Sequence, residues 1–118
     1  MKRHYSLRKT SEIDNIFKNK QFVGNKYFVL YYKSHEERHF KYLISIGRKY
    51  GNAVKRNKIK RQIKMILRDN KSIIKENYGF VIVVKKNASS LSYQEIKTYI
   101  NKLLITSKLI NKETNIKS

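Results

Sequence analysis

The spacing of hydrophobic residues switches along the chain between a helical and a strand-like period. In three stretches apolar residues recur every three or four positions, which is typical of helices that bury one face. In three others they alternate with polar residues or run together, which predicts strands. The helical stretches begin near Ser11, Ala53 and Ser92, and the strands are predicted at 26–33, 40–47 and 80–86. The order helix-strand-strand-helix-strand-helix predicts an α+β fold built as a two-layer α/β sandwich.

Turn and capping residues set the limits of these elements. Thr10-Ser11 and Asn52 precede helical stretches as N-caps, and Ser92 with Glu95 has the spacing of a capping box. We therefore expect the three helices to begin at these positions.

The remaining segments are predicted as connections and ends of a single domain, 1–118. The polar loop 34–39 joins the first two strands, so antiparallel pairing through a hairpin is the simplest arrangement. Residues 1–9 read as a basic extended arm, with room for a further short strand near it. From Thr106 onwards the chain is polar, and we expect 106–118 to be a frayed tail.

The segment 48–68 carries nine lysines and arginines and no acidic residue. A helix that begins at Ala53 turns by about 100° per residue and sorts this segment into two faces. The apolar face is formed by Ile59, Ile63, Ile66 and Leu67. The polar and cationic face is formed by Asn57, Lys60, Arg61, Lys64 and Arg68. Because no acidic residue within the segment can pair with the second face, its counter-charge must come from a partner.

The charge of the whole chain points to the same kind of partner. Lysine and arginine number 28 against 8 aspartates and glutamates, a formal net charge of +20, which favours association with a polyanion. A nucleic acid is the first candidate, because arginines and lysines lie in register on one helix face. A merely solvated face would carry interleaved acids, and a membrane-surface or peptide-binding helix would need an apolar face free of core packing.

Three features that the sequence lacks bear on the cellular compartment of the protein: cysteine, a signal peptide and a membrane-spanning segment. Absence of cysteine excludes a disulfide framework and a cysteine-based zinc site, and it suits the reducing cytosol. No apolar stretch follows the charged N-terminus, and the longest apolar run, 80–84, is far too short to cross a bilayer. We therefore expect a cytoplasmic protein that does not associate with membranes.

The segment from His35 to His39 matches the zinc-protease pattern H-E-x-x-H, which works when a helix places both histidines beside one metal ion. Here the five residues fill the connection between two predicted strands, and His4 is the only other histidine. We interpret the match as a solvated hairpin loop. Acidic residues are scattered, and no nucleophile lies in an arguable arrangement with a base, so the chain is predicted to have no catalytic or metal site of its own.

Aromatic residues on the first predicted strand fall on two faces. Tyr27, Val29 and Tyr31 alternate with Phe28, Leu30 and Tyr32. If helices cover one face, the other presents tyrosines that, beside Phe17 and Lys86, can stack single-stranded bases. The alternative for any one of these rings is the hydrophobic core.

The basic helix also resembles a known family. Gly51-Asn52-Ala53-Val54, followed by Arg56-Asn57 and Lys60-Arg61, is similar to the signature of the protein subunit of bacterial ribonuclease P. The similarity runs from Tyr5-Ser6-Leu7-Arg8 through 28–31 and 45–49 to the helix start at Ser92, and covers nearly the whole chain up to about Leu104.

The resemblance implies a fold and a function. Helices would pack on one face of a sheet, with the basic helix making a left-handed βαβ crossover between parallel strands, the ribosomal protein S5 domain 2-like arrangement. The family's catalyst is an RNA that removes the 5′ leader of precursor tRNA with its own bound Mg²⁺. The small protein, one per RNA, would bind that RNA and the leader as the accessory subunit of an endoribonuclease. The rival interpretation is a structural RNA-binding protein, such as a small ribosomal protein, without a role in cleavage.

Carried over by position, the resemblance assigns two sets of residues. It places Arg56, Asn57, Lys60, Arg61 and Lys64 on the basic helix motif of the family, which would face the RNA subunit. With the basic segment around them, the set predicted to bind that RNA is Arg48, Lys49, Asn52, Lys55, Arg56, Asn57, Lys60, Arg61, Lys64 and Arg68. The leader-binding cleft is formed by Ile13, Phe17 and Tyr31, with Lys86 at its rim. Three positions depart from the family pattern: Lys64 stands where arginine is usual, Ile13 where phenylalanine is frequent, and Asn87 where proline is frequent. Lysine lacks the bidentate phosphate grip of arginine, and isoleucine offers no ring for stacking.

Overall fold

The structure, a computed structural model, describes residues 5–110 and contains a four-stranded sheet and three α-helices. The elements are α1 (Thr10–Lys18), β1 (Phe22–Gly24), β2 (Phe28–Ser34), β3 (Lys41–Ile46), α2 (Ala53–Asp69), β4 (Tyr78–Val84) and α3 (Tyr93–Thr106). Two short 3-10 turns, Arg48–Tyr50 and Lys86–Ser90, follow β3 and β4. The α+β class and the predicted order are confirmed, with β1 as an additional strand that the sequence reading did not include.

The strand order in the sheet is β1-β2-β4-β3, and the predicted hairpin between β2 and β3 is wrong. Both strands pair with β4, which lies between them, β2 antiparallel and β3 parallel. The reason lies in the composition of β4, whose residues from Gly79 to Ile82 are all buried. A strand that is apolar on both faces suits a central place in the sheet, where packed layers cover both of its faces. The parallel connection from β3 to β4 runs through α2, and its left-handedness stays a prediction.

Helices α2 and α3 cover one face of the sheet and form the main core with it. The largest side chains with less than 2% exposure are Phe28, Leu30, Phe40, Ile59, Ile63, Ile66, Leu67, Phe80, Ile82, Ile96, Ile100 and Leu104. All four residues of the apolar face predicted for α2 are in this set. Their burial turns the opposite side of α2 towards solvent.

Helix α1 packs on the other face of the sheet. Its Ile16 is 4% exposed and forms a small second cluster with Leu7 and Val81. The helix comes close to β4 at Gly79, where an added Cβ would lie 3.3 Å from Cδ1 of Ile16. Because α1 is only nine residues long, it covers part of this face and leaves the rest partly exposed.

The predicted caps hold for two helices and fail for the third. Asn52 Oδ1 accepts a hydrogen bond from the Lys55 N–H at 3.0 Å, and Ser92 forms a complete capping box with Glu95. Helix α1 instead begins at Thr10, and Lys9 in the N-cap position makes no side-chain cap bond. The chain enters this helix directly from a segment held to β3, which sets the helix start without a cap.

The two ends of the described chain are better anchored than predicted. Near the N-terminus, Ser6 forms an isolated bridge with Tyr42, and the Leu7 N–H donates to the Tyr42 carbonyl at 2.9 Å. At the other end, residues 106–110 of the tail predicted to fray are held against the rest of the fold. Leu109 and Ile110 are buried in the core at 0% and 2% exposure, which the polar composition of the tail conceals. Residues 1–4 of the predicted arm and 111–118 of the predicted tail lie outside the described residues.

Candidate RNA-binding surfaces

The exposed side of α2 forms a cationic ridge, defined here by its five predicted residues. These are Asn57, Lys60, Arg61, Lys64 and Arg68, and all five are exposed. The ion pairs found in residues 5–110 involve only His35 and Lys41 with glutamates, so no carboxylate of that region lies within 4.0 Å of a ridge cation. Within residues 5–110, the positive charge of the ridge is therefore available for an external anion.

The start of α2 is shaped by residues that were also predicted to bind the RNA subunit. Asn52 caps the helix, and Arg56 Nη1 donates to the Gly51 carbonyl at 3.1 Å. A Cβ added at Gly51 would lie 3.0 Å from Cδ of Lys55, so the lysine stem packs against this turn. Asn52 and Arg56 thus build the turn, and Arg56 is only partly exposed. Lys55 remains exposed beside it.

Three further cations gather at one end of the sheet. Strands β3 and β4 are parallel, so the turns that follow them lie at the same end, where the two 3-10 turns contact each other. These turns carry Arg48, Lys49 and Lys86, which are all exposed. Lys86 lies five residues beyond Val81, the sheet partner of Tyr31, or about 16 Å along an extended strand. It therefore lies at the end of the open face and beside Arg48 and Lys49.

Three aromatic rings form a row on the face of the sheet that carries α1. The rings of Phe17 and Tyr31 are 4.7 Å apart between centroids, and those of Phe22 and Tyr31 are 5.5 Å apart. Phe17 is 37% exposed and Phe22 is 58% exposed. Ile13 is half-buried and packs against the small cluster under α1. The structure thus brings Ile13, Phe17 and Tyr31 to one face, and adds Phe22, which sequence reasoning missed.

Tyr27 does not share this face, contrary to the predicted alternation. Its ring packs on the core side, 4.9 Å from the ring of Tyr99 in α3. Asn25 Oδ1 accepts hydrogen bonds from the N–H groups of Tyr27 and Phe28, both at 2.8 Å, which forms a turn before β2. Because the strand begins only at Phe28, its alternation does not extend back to Tyr27.

The H-E-x-x-H segment is a loop between β2 and β3, and these strands are not hairpin partners. His35 Nε2 lies 3.0 Å from the His39 carbonyl oxygen and 2.9 Å from that of Glu76, so its N–H donates to the backbone. The loop is therefore fastened to the start of β4 and is not simply solvated. Lys41 donates to Glu37 at 3.0 Å, and this hydrogen bond lowers the pKa of the Glu37 carboxyl.

Neither a metal cluster nor a membrane-spanning helix is found in the described part of the chain. No group of three or more histidine, cysteine, aspartate or glutamate side chains is placed to hold a metal ion within 5–110. No helix of that region is long and apolar enough to cross a bilayer. The zinc-protease reading of the loop thus gains no third ligand there.

Comparisons with known proteins identify the family and the fold of the chain. Residues 1–108 match the family model Ribonuclease P. The ribonuclease P protein component of Acholeplasma laidlawii is 51% identical over 113 residues, which cover 96% of this chain and 97% of the relative. A Staphylococcus aureus RNase P protein structure superposes with a TM-score of 0.85 at 31% identity, over 91% of this chain and 98% of that one. The Thermotoga maritima RNase P protein gives a TM-score of 0.76 at 28% identity, over 84% and 94% of the two chains. With matches this long in both sequence and fold, the chain belongs to the ribonuclease P protein family.

Proposed function

We propose that this subunit of the endoribonuclease ribonuclease P holds the RNA subunit with its cationic ridge and the 5′ leader of precursor tRNA with its aromatic row. The observation that carries the proposal is the unneutralised charge of α2. Seven lysines and arginines lie between Ala53 and Asp69, and the carboxylate of Asp69 itself is the only acid in the helix. A folded RNA presents phosphates at a density that matches such a ridge.

Each cation type has a distinct use against phosphate. Arg61 and Arg68 offer planar forks that can donate two hydrogen bonds to one phosphate, whereas Lys60 and Lys64 act as compact point charges. Their carbon stems stand on a helix whose opposite side is fixed in the core, so the charges are held in register. This pre-organisation lowers the entropy lost on binding.

The aromatic row supports leader binding by a different interaction. Single-stranded RNA exposes the faces of its bases, and aromatic side chains bind those faces by stacking without strong sequence preference. Phe17 and Tyr31 lie on the face of the sheet opposite α2, so the leader and the RNA subunit occupy different surfaces. Lys86, at the end of that face, supplies charge for a leader phosphate.

The proposal assigns Mg²⁺ to the RNA subunit. No cluster of suitable ligands occurs among residues 5–110, so that region does not fit a resident catalytic Mg²⁺. What the protein contributes is fixed positive charge beside RNA phosphates, which lowers the concentration of free cations needed to hold the RNA together. We further propose one protein per RNA, since each chain has one such ridge, and a cytoplasmic location, which the absence of cysteine suits.

Reconstitution tests the function directly. The protein is added to a bacterial ribonuclease P RNA at a low Mg²⁺ concentration at which the RNA alone is inactive, and leader cleavage of precursor tRNA is followed. Rescue of cleavage supports the accessory role. Binding without rescue would favour a structural RNA-binding protein, and cleavage by the protein without RNA would revive a protein enzyme. An Arg61→Gln variant should need more protein for rescue than a Lys102→Gln control, in which one cation on α3 is removed.

A further inference from the structure

Phe22 is a large apolar residue that the fold leaves in water. It lies on β1, one of the two edge strands of the sheet, and its exposure of 58% exceeds that of Phe17. In the register of the sheet Phe22 is opposite Tyr31, so both side chains stand on the same face. The core gains little from a ring in this position.

Exposed large hydrophobic residues are few in the described part of the chain, and two of them meet here. The four in residues 5–110 are Phe17, Phe22, Val54 and Met65, of which the last two belong to α2. Phe17 and Phe22 both contact Tyr31, from α1 and from β1 respectively. The row therefore extends from the helix, across β2, to the free edge of the sheet.

The charge around the row decides what can cover it. From Phe17 to Ser34 the chain has four lysines and no acidic residue. Lys18, Lys20 and Lys26 are exposed, and Lys33 is partly exposed. A second copy of this chain would bring a further net charge of +20 to the same place, which opposes self-association. A single-stranded RNA carries apolar base faces, which can cover the exposed rings, and negative phosphates, which can pair with the surrounding lysines.

We propose that Phe22 extends the leader-binding surface onto the edge strand, where its exposed ring stacks one nucleobase of the single-stranded leader. This inference rests on the proposed leader-binding role of the row. Lys20, which is exposed just before β1, binds a phosphate beside that base.

The ring spacing determines where the base lies. Atoms in contact are separated by about 3.5 Å, so a base inserted between two rings needs them about 7 Å apart. Phe22 and Tyr31 are 5.5 Å apart between centroids. The base therefore stacks on the outer surface of Phe22, and the Phe22 and Tyr31 rings contact different nucleotides.

The test uses the reconstituted holoenzyme and compares its affinity for precursor tRNA with that for mature tRNA, which lacks the leader. Phe22→Ala should weaken precursor binding by about 5- to 150-fold, the range for losing one base stack, and leave mature tRNA binding unchanged. Phe22→Tyr keeps an aromatic face and should bind like the parent. Phe22→Leu keeps apolar packing against Tyr31 but has no aromatic ring. It should therefore lose nearly as much precursor affinity as Phe22→Ala, and it serves as the test variant if the alanine protein unfolds.

A set of shortened leaders separates this inference from the role on which it rests. Tyr31→Ala is measured in parallel, and the Phe22 and Tyr31 effects should disappear at different leader lengths. If Tyr31→Ala weakens precursor binding and neither Phe22→Ala nor Phe22→Leu does, Phe22 is no part of the surface. If the Tyr31→Ala protein is folded and binds precursor tRNA as tightly as the parent does, the proposed leader-binding role of the whole row is wrong. A Phe22→Leu variant that binds the leader normally but changes the sedimentation of the free protein would assign the edge to self-association and overturn the inference.

Discussion

Replacing Arg61 with glutamine removes one charge from the middle of the cationic ridge with little other change. The side chain is exposed and has no carboxylate partner in the described part of the chain. Glutamine has nearly the same helix propensity as arginine and a similar stem. We therefore expect the free energy of unfolding to change by no more than about 0.5 kcal/mol, as for other exposed positions without special contacts.

The expected effect appears in the salt dependence of RNA binding. Each phosphate contacted by a cation contributes about 0.7–0.9 to the slope of log affinity against log salt concentration. If Arg61 meets one phosphate, Arg61→Gln lowers the magnitude of the slope by about one unit. A fourfold rise in salt should then weaken the variant about threefold less than the parent.

Titration of ribonuclease P RNA with protein at several salt concentrations gives this slope. Lys102→Gln is the matched control, because Lys102 is an exposed cation on α3 and its loss changes the net charge equally. The control should keep the parental slope. Equal decreases for Arg61→Gln and Lys102→Gln would mean that overall charge, and no particular surface, attracts the RNA, and the argument from the ridge would be refuted.

Three further predictions concern the other face, the core and pH. Tyr31→Ala should cost about 1–3 kcal/mol of leader affinity without weakening binding of the RNA subunit, measured with precursor and mature tRNA; a matching loss for both substrates would contradict it. Ile63→Ala should lower the unfolding free energy by about 2–5 kcal/mol in urea titrations, because Ile63 is 0% exposed and leaves a cavity; a loss well below that range would mean the site collapses. The lowered pKa of Glu37 implies stability that is present above the pKa of the unfolded state and lost as pH falls through the folded-state value. Lys41→Gln should therefore make stability less dependent on pH in the acidic range, by a small amount because Glu37 is exposed. An unchanged acid profile would show that the bond contributes nothing.

The basic helix was predictable from the sequence because everything that defines it is local. The Asn52 cap, the Ile59 to Leu67 stripe and the exposed ridge follow from residues within one helix. The capping box at Ser92 is local in the same way. Each of these features depends on separations of three to eleven residues within one helix, for which backbone geometry alone decides which side chains share a face.

Strand pairing was not predictable by the same reasoning. The six-residue loop 34–39 makes a hairpin the simplest local choice for β2 and β3, but β4 takes the place between them. That outcome depends on residues about forty positions further along the chain, whose apolar side chains require cover on both faces. Strand pairing was therefore determined by the burial of the later strand β4, and the length of the loop between β2 and β3 was a poor guide to it.

The remaining differences involve short elements. β1 has three residues, too few for alternation to be recognised, so Phe22 was not assigned to a face. Tyr27 was placed by extending the alternation of β2 beyond its first residue. Leu109 and Ile110 were read as part of a polar tail because two apolar residues among many polar ones give no periodic signal. In each case a tertiary contact supplies the information.

The topology of the sheet places the cationic ridge and the aromatic row on opposite faces, and the turns at one end of the sheet connect the two faces. Because β4 lies at the centre and α2 crosses over one face to reach it, the ridge is carried by the layer on that side of the sheet. Among residues 5–110, the short α1 and Leu7 cover part of the opposite face, and the aromatic row stays accessible. The turns after β3 and β4 place Arg48, Lys49 and Lys86 at the end of the sheet, where the two faces meet. Positive charge thus continues from the ridge round this end to the open face. Under the proposed function, one small chain can then hold the RNA subunit on the ridge and the leader on the row without the two competing for the same residues.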